Sequence, residues 1–354
     1  MDKKIKIAID NGPLKGGDTI RGIGFHTKHL IEGFKNNKEI DYELVDAQNT
    51  NLSRYNLVHF QKFNPFKLSF PIKKQIKSVI TIHDLIPLVY PKAYPSGIKG
   101  KIIFEFQKLL IRQMDAIITI SETSKKDICR LLGVSPSKVH VIYLAAGKEF
   151  KHLPSGEWMS KIRKKYTLPE KFVLYVGDVN YNKNISTLAE ACKIAKIHLV
   201  IVGKQATETE FNLRHIENRS FVRFLEKYGK DKEIKRIGYL EDEDLVKIYN
   251  LATLYCQPSY YEGFGIPILE AFSTGTPVVA AKNNCHVEIG GNAVLLADPK
   301  SAQDLAQKIT EVLEDNFLKE NLVKNGYSRA KNFSWEKTVK KTFQVYQKIT
   351  NSSK

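Results

Sequence analysis

Two glutamates, Glu262 and Glu270, are separated by seven residues and lie on either side of a glycine-rich turn. The two glycines between them suit a tight turn, and Pro267 suits the first turn of a helix that Gly275 would end. The apolar run 252–256 before them is typical of a buried strand. The stretch therefore predicts a strand, a glycine loop and a helix.

The predicted helix start offers an anion site between two hydrogen-bond acceptors. Free N–H groups of a first helical turn, together with the helix dipole, attract phosphate. Carboxylates accept hydrogen bonds, so a ligand with hydroxyl groups on both sides of a phosphate would satisfy Glu262 and Glu270. A nucleotide sugar is such a ligand. The alternative is structural: Glu270 complements the helix dipole, and Glu262 lies on an exposed loop.

Glu262 and Glu270, with Gly-Phe-Gly-Ile-Pro between them, resemble the E-x7-E signature of retaining glycosyltransferases of family 4 (glycosyl transferases group 1). The resemblance implies that Glu262 contacts the donor sugar and that Glu270 binds the ribose hydroxyls. It also implies that loop amides hold the diphosphate, namely those of Gly263, Phe264, Gly265 and Ile266. The implied fold is GT-B, with two Rossmann-like parallel-sheet domains that face each other across a cleft.

A lysine in a second loop is the candidate for charge stabilisation. Lys183-Asn184 matches a family block whose Arg and Lys grip the diphosphate, although Asp178 stands where the Arg is common. By itself Lys183 would be an exposed loop lysine; the resemblance implies a catalytic, donor-binding role. We also assign Tyr239 and Leu240, which end the predicted strand 234–240, to the donor site.

The first glycine loop of the chain is not a dinucleotide fingerprint. Gly22 and Gly24 precede a helical pattern over 25–34, but Thr27 stands where the third glycine would be required, which argues against a nicotinamide or flavin enzyme. The resemblance implies that both glycines bind the donor. The family's usual loop Arg is missing here, and Arg21 and His26 are the two candidates for its role.

A His-Asp pair follows the predicted strand 78–82. Such a pair can move a proton or bind a hydroxyl group, with Asp84 fixing the imidazole tautomer, or His83 can be a structural histidine. His-Asp-Leu-x-Pro resembles a block of the same family, which implies a substrate-facing, catalytic His83.

Strands alternate with helices along the chain, which indicates two parallel α/β sheets. Residues 151–170 are polar and basic and are the predicted linker region. We predict an acceptor-binding domain over 1–152 and a donor-binding domain over 153–334. The resemblance implies that the last helix, 335–354, packs back on the first domain.

Composition excludes several classes of protein. The chain is 42% hydrophobic and 26% charged, as a globular protein is, and its four cysteines form no C-x-x-C pair, which argues against a disulfide scaffold or a zinc site. No segment has the length and apolarity of a signal peptide or a membrane span, so we expect a cytoplasmic protein. Glu241-Asp-Glu-Asp244 resembles a metal-binding D-x-D, but it suits a helix N-terminus better. We therefore expect neither a metal nor a cofactor.

The positive charge is uneven. The net charge is +17, of which residues 1–168 carry +14, and residues 51–114 hold 11 basic residues against two acidic ones. Apolar side chains are interleaved with them, including Phe66, Phe70, Phe104 and Phe106. This combination predicts docking of the first domain on the cytoplasmic face of an anionic membrane. Nucleic acid, or an ordinary solvated lysine-rich surface, is the alternative.

The function predicted from these features is a retaining, metal-independent transfer of a hexosyl residue, with mannosyl as one candidate, from a nucleotide sugar. The predicted acceptor is a lipid-linked saccharide of surface polysaccharide synthesis, of the O-antigen or lipopolysaccharide type. A GT-B-type epimerase or phosphorylase and a basic nucleic-acid-binding protein are the alternatives. The sequence leaves the sugar, the nucleotide, the linkage and the oligomeric state open.

Overall fold

The structure is a computed structural model that describes residues 5–19, 21–35, 37–208, 212 and 215–351. Residues 1–4 of the predicted first domain and residues 352–354 of the predicted terminal helix lie outside the described residues. The chain divides into two compact units. Unit 1 comprises Met1–Leu144 and Phe333–Lys354, and unit 2 comprises Ala145–Asn332.

Unit 1 is built on a parallel sheet in which, over the described residues, six strands pair in the order β2-β1-β3-β4-β5-β6. The strands are β1 (Lys6–Asp10), β2 (Asp41–Val45), β3 (Leu57–Phe60), β4 (Lys77–Thr81), β5 (Ala116–Thr119) and β6 (Val139–Val141). The central strands are almost wholly buried, as expected when helices cover both faces of a parallel sheet.

The helices of the first part of unit 1 are α1 (Gly22–Lys35), α2 (Ile86–Val89), α3 (Gly97–Ile111) and α4 (Glu122–Leu132). α4 begins after Ser121, whose hydroxyl accepts from the Ser124 N–H at 2.9 Å, and ends at Gly133, which takes a left-handed φ of 63°. α3 ends at Ile111 and does not reach Asp115. The carboxylate of Asp115 instead accepts the backbone N–H of Ser78 at 2.8 Å and so ties β5 to β4.

The last helix, α13 (Trp335–Asn351), belongs to unit 1. It approaches α1 closely, since a Cβ on Gly33 would lie 2.2 Å from Val339 Cγ2. The Tyr346 hydroxyl contacts His59 Nδ1 at 2.5 Å in the core. The Thr338 hydroxyl donates to the Tyr143 carbonyl at 2.7 Å. These contacts fix α13 on the sheet of unit 1.

Unit 2 contains a second parallel sheet, whose described strands are ordered β12-β11-β10-β7-β8-β9. They are β7 (Phe172–Val176), β8 (His198–Val202), β9 (Ile234–Ile237), β10 (Leu254–Gln257), β11 (Val278–Ala281) and β12 (Val294–Ala297). Two parallel α/β units are the predicted fold class.

The helices of unit 2 are α5 (Trp158–Tyr166), α6 (Ile185–Ile194), α7 (Arg219–Tyr228), α8 (Asp242–Leu251), α9 (Ile266–Thr274), α10 (Asn284–Gly290), α11 (Ala302–Glu314) and α12 (Asn316–Ala330). α5 lies inside the predicted linker 151–170. Its one buried residue, Ile162, is surrounded in sequence by basic residues, so composition alone suggested a linker. No described helix combines the length and the apolar character needed to cross a membrane.

Candidate active site

The site in unit 2 lies where the strand order reverses. From β7 the chain runs outward through β8 and β9, then returns to place β10 on the other side of β7, with Tyr255 paired to Leu174. In parallel α/β sheets such a reversal leaves a crevice at the carboxyl ends of the two strands. The loops that follow β7 and β10 therefore meet here, and they carry Lys183 and Glu262.

Two asparagines join these loops. The Asn182 side-chain amide donates to the Tyr261 carbonyl at 3.1 Å. The Asn184 side-chain amide donates to the carbonyls of Pro258 at 3.0 Å and Pro299 at 2.7 Å. Asn184 has a left-handed φ of 56°, which asparagine tolerates better than most residues do. The loop of Lys183 is thus held against the loop of Glu262.

Lys183 and Glu262 form an ion pair. The Lys183 Nζ lies 2.8 and 2.9 Å from the two carboxylate oxygens of Glu262, and these side chains are 22% and 9% exposed, respectively. Burial alone would raise the pKa of Glu262. The Lys183 ammonium and the hydrogen bonds from Lys183 and Ser259 outweigh burial and hold that pKa below its usual value. Glu262 is therefore an ionised carboxylate in a nearly dry place.

A glutamine that the sequence analysis missed also binds Glu262. The Tyr255 hydroxyl donates to Gln257 Oε1, which orients the amide. Gln257 Nε2 then donates to Glu262 Oε1 at 3.0 Å and to the Ser259 hydroxyl at 2.8 Å. Gln257 ends β10, so a polar residue at the carboxyl end of a buried strand was the available signal.

The helix predicted after Glu262 is α9, and its predicted ends are correct. Gly265 has a φ of 108° immediately before the helix, a conformation that side-chain-bearing residues rarely adopt, and Pro267 occupies the first turn. Gly275 ends the helix with a φ of 77°. In the first turn of α9, Pro267 has no N–H and the Ile268 N–H donates to the Gly265 carbonyl at 3.0 Å. The Ile266 amide at the start of the helix is the first-turn donor that can receive an anion.

Glu270 lies in the second turn of α9 and binds a different partner. The Tyr249 hydroxyl donates to Glu270 Oε2 at 2.8 Å. Burial raises the pKa of Glu270 to about 8, against the opposing effect of that hydrogen bond, and the charges of Asp242 and Glu149 raise it further. At pH 7 the Lys183 ammonium keeps Glu262 ionised, whereas burial without a cation favours the protonated form of Glu270.

Two further residues assigned to the donor site follow β9, not β7 or β10. Tyr239 is about half exposed and Leu240 is buried. β9 is the edge strand of the sheet, two strands away from β7. The described contacts do not bring Tyr239 or Leu240 to the Lys183–Glu262 pair.

In unit 1 the predicted glycine loop is part of a helix. Gly22 and Gly24 lie in the first turn of α1, which begins earlier than the predicted residue 25. Gly24 is needed for packing, since a Cβ there would lie 2.3 Å from the Asp18 carbonyl oxygen. Gly24 allows α1 to begin close to the preceding chain, which the loop prediction did not anticipate, whereas a Cβ on Gly22 would meet no atom within 4 Å.

His83, also in unit 1, contacts another histidine. His83 Nε2 lies 3.0 Å from His26 Nδ1, so one of the two nitrogens donates. Burial lowers the pKa of His83 to about 4, and burial and His83 together lower the pKa of His26 well below its ordinary value. Both rings are neutral at pH 7. The Asp84 carboxylate accepts the backbone N–H of Ile86 at 3.0 Å.

The acidic segment 241–244 starts α8, the position at which acidic residues favour a helix. Asp244 Oδ2 lies 2.6 Å from both the Lys165 Nζ and the Tyr166 hydroxyl. Across the described ranges, no group of three or more His, Cys, Asp or Glu side chains is arranged to hold a metal ion.

Two family models match most of the chain between them. The model of glycosyl transferases group 1 matches residues 159–329, which include both glutamates and Lys183. The model of Glycosyltransferase Family 4 matches residues 22–146. The chain belongs to this glycosyltransferase family. The resemblance seen in Glu262 and Glu270 is thereby confirmed at the level of the family.

Named relatives agree with this membership. The glycosyltransferase is 28% identical over 280 residues to O-antigen chain mannosyltransferase B of Escherichia coli, covering 77% of this chain and 70% of the relative. It is 26% identical over 279 residues to the serotype-specific mannosyltransferase WbdA of the same species, which covers 78% of this chain but only 34% of WbdA. The chain thus spans about a third of WbdA.

A solved structure shares the fold. Anabaena Alr3699/HepE in complex with UDP-glucose superposes with a TM-score of 0.73 at 16% identity, over 97% of this chain and 100% of that one. The predicted GT-B fold class is confirmed.

The buried pair makes a prediction about the stability of the glycosyltransferase. Lys183→Met leaves the Glu262 carboxylate buried without its cation, so we expect it to lower the free energy of unfolding by about 3 kcal/mol. The double variant Lys183→Met/Glu262→Gln removes both charges and should recover most of this loss. Lys161→Met, which breaks an exposed pair with Glu157, is the control and should change little. Urea unfolding measures all four proteins; equal losses for the single and double variants would contradict the pairing.

The raised pKa of Glu270 predicts how the free energy of unfolding changes with pH. In the folded protein the pKa of Glu270 is about 8, above its ordinary value of 4.5. The protonated carboxyl group therefore stabilises the fold fully below pH 4.5, and this contribution is lost as the pH rises through 8. Glu270→Gln cannot ionise. The free energy of unfolding of this variant, relative to that of wild type, should therefore increase with pH across this window, by up to about 1.4 kcal/mol per pH unit. Urea unfolding at pH 5 and pH 8.5 tests this, and an unchanged difference would show that Glu270 is already ionised at pH 5.

Proposed function

We propose that the chain transfers a hexosyl residue, with mannosyl as the first candidate, from a nucleotide sugar to a lipid-linked saccharide acceptor. The observation that carries the proposal is the Lys183–Glu262 pair, which lies at the strand-order reversal where the loops after β7 and β10 meet. A cation and an anion at this crevice suit a ligand that brings both a phosphate and hydroxyl groups.

Binding of the donor begins at the cation. Without donor, the Lys183 ammonium is occupied by Glu262. A diphosphate carries more charge than one carboxylate and can also bind the Ile266 amide at the start of α9, so it competes for Lys183. Once Lys183 has moved away, the Glu262 oxygens can accept hydrogen bonds from sugar hydroxyl groups. One exchange thus prepares the site for both halves of the donor.

Glu270 suits the nucleoside half of the donor. Protonated at neutral pH, it can accept a ribose hydroxyl at one oxygen and donate through the other, and ionised it can accept from two hydroxyls. Tyr249, which donates to Oε2, fixes the orientation of the carboxyl group. Glu270 therefore acts in binding, apart from the bond that is broken.

The reaction we propose is retaining and metal-independent. As the sugar–phosphate bond breaks, negative charge grows on the leaving diphosphate. Lys183 and the amides of Gly263, Phe264, Gly265 and Ile266 stabilise this charge without reorganising, the electrostatic device that supplies much of enzymatic rate enhancement. The family pattern supports three further parts of the proposal: retention of the anomeric configuration, donor contacts by Gly22 and Gly24, and a substrate-facing His83.

The relatives support the choice of sugar and acceptor. Mannosyltransferase B is named for the O-antigen chain, and WbdA is named a serotype-specific mannosyltransferase. HepE was crystallised with UDP-glucose, which supports a nucleotide sugar as donor. We therefore place the reaction in assembly of a surface polysaccharide of the O-antigen or lipopolysaccharide type.

A donor panel tests the proposal. Purified protein is incubated in excess EDTA with UDP-, GDP- and ADP-hexoses and an extract of lipid-linked saccharides, and the products are identified by mass spectrometry. We expect hexose transfer to the lipid fraction and a 10²- to 10³-fold slower turnover in Glu262→Gln. Glu226→Gln, the same change on the exposed face of α7, is the control and should transfer normally.

Other products would identify the alternatives. Free epimerised donor indicates an epimerase, and sugar phosphate indicates a phosphorylase. Activity that EDTA abolishes and Mn²⁺ restores would contradict metal independence. No transfer from any donor would contradict the proposed function itself.

We also propose that unit 1 docks on the cytoplasmic face of an anionic membrane. α3 presents an exposed apolar stripe formed by Ile98, Ile102, Phe106 and Leu109, of which Ile98 is 81% exposed. Lys99 and Lys101 beside the stripe are exposed, and the nearby Glu105 pairs with Lys108. An apolar stripe flanked by lysines fits lipid headgroups; nucleic acid would not need the apolar residues.

The structure corrects which apolar residues can take part. Phe70 is 3% exposed and belongs to the core of unit 1, so it cannot enter a membrane interface. Phe66 and Phe104 are half-buried, and Phe106 is exposed. Sequence alone could not separate them, because it does not show which of these side chains pack into the core of unit 1.

Co-sedimentation with liposomes tests this surface. Binding should increase with the fraction of anionic lipid, decrease with salt, and weaken in Ile98→Ser/Ile102→Ser/Leu109→Ser and in Lys73→Gln/Lys99→Gln/Lys101→Gln. Two controls in unit 2 should bind normally: Phe317→Ser, which removes an exposed apolar residue, and Lys161→Gln/Lys164→Gln/Lys324→Gln. Equal binding to neutral and anionic vesicles, or none to either, would contradict membrane docking.

A further inference from the structure

A buried histidine that the proposed function does not use lies near the ion pair. His286, in α10, has no exposed surface. Its Nδ1 is 2.9 Å from the Ala281 carbonyl oxygen, which can only accept, and 3.0 Å from the Asn283 amide nitrogen, which can only donate, so Nδ1 has a partner in either tautomer. Burial lowers the pKa of His286 below its ordinary value, so the ring is neutral at pH 7. Nε2 is an acceptor in one tautomer and a donor in the other.

Nε2 has no hydrogen-bond partner within the part of the chain that the structure describes. Buried polar atoms in folded proteins are nearly always paired, because an unmade hydrogen bond keeps the cost of removing the group from water. A buried nitrogen without a partner is therefore a place where a ligand group would be stabilised.

His286 belongs to the polar cluster of Glu262. It follows β11, the neighbour of β10, so both residues lie beyond the carboxyl ends of adjacent parallel strands. The Asn283 side chain joins His286 to the loop that carries Glu262: its amide nitrogen lies 3.0 Å from His286 Nδ1 and donates to the Ser259 carbonyl at 2.9 Å. The Glu262 charge raises the pKa of the His286 imidazole, and the Lys183 charge lowers it.

We propose that His286 Nε2 forms a hydrogen bond with a hydroxyl group of the donor sugar held at Glu262, and so helps to select which hexose is transferred. The inference rests on the proposed function. A hydroxyl group can donate and accept, so it can pair with Nε2 in either tautomer, whereas an ionised phosphate oxygen can only accept. Because His286 is fully buried without donor, contact with Nε2 requires the polar cluster around Glu262 to rearrange when the donor binds.

Selection would come from the position of one hydroxyl. Hexose epimers differ in the direction of a single hydroxyl group, and a site built to pair with that group rejects the epimer that leaves its polar atom unpaired. His286 is fixed by Ala281 and Asn283, so Nε2 cannot move to pair with a hydroxyl group that points elsewhere.

Two substitutions separate the ligand contact from the structural one. His286→Asn places an amide nitrogen where Nδ1 was, so it can still donate to Ala281, but it has no atom in place of Nε2. His286→Gln places a polar atom near the Nε2 position. Binding of the nucleoside diphosphate and of the matching nucleotide hexose to each protein is measured by calorimetry, using the panel member that wild type binds best.

We expect His286→Asn to weaken binding of the nucleotide hexose about tenfold while binding of the nucleoside diphosphate stays unchanged. It should also reduce the preference for one hexose epimer, and His286→Gln should recover part of the affinity. Equal weakening of both ligands would show a structural role, and no change in either would show no role; both results overturn the inference. If wild type binds neither ligand, the proposed function fails and this inference with it.

Discussion

A carboxylate buried at the strand-order reversal of unit 2 requires a cation, and this requirement organises the surrounding chain. Glu262 would be costly in a nearly dry place if it were unpaired. Lys183 supplies the charge, and Gln257 and Ser259 supply hydrogen bonds. The loop that carries Lys183 is held in place by Asn182 and Asn184. The glycosyltransferase thus holds an ionised hydrogen-bond acceptor in a nearly dry crevice.

The same constraint underlies the proposed response to a donor. In that proposal the pair exchanges when a stronger anion arrives, and the dipole of α9 favours the anion. Glu270 has no part in the proposed exchange, because Tyr249 binds it and burial favours its protonated form. Two glutamates on one short segment thus differ in charge and in partner.

Much of this region followed from the sequence, because its signals are local. Gly265, Pro267 and Gly275 predicted the start and end of α9 through their backbone preferences, and the spacing of Glu262 and Glu270 indicated the family. The pairing of Lys183 with Glu262 could not be predicted, since it depends on β7 and β10 becoming neighbours across a long stretch of chain.

Other residues were missed or misplaced for physical reasons. Gln257, Tyr249 and His286 belong to no local pattern and gain meaning only from what they contact in three dimensions. Gly22 was assigned to a loop because glycines more often mark turns, but α1 begins at it. The burial of Phe70 depends on which face of the chain meets the sheet, which composition does not reveal.

The most direct test of the account is a crystal structure of the protein with the nucleotide hexose that it binds best. The account predicts that Lys183 Nζ lies within about 3 Å of a diphosphate oxygen and that a Glu262 oxygen accepts a sugar hydroxyl. A donor bound with the Lys183–Glu262 pair intact, and with no contact to either side chain, would contradict it.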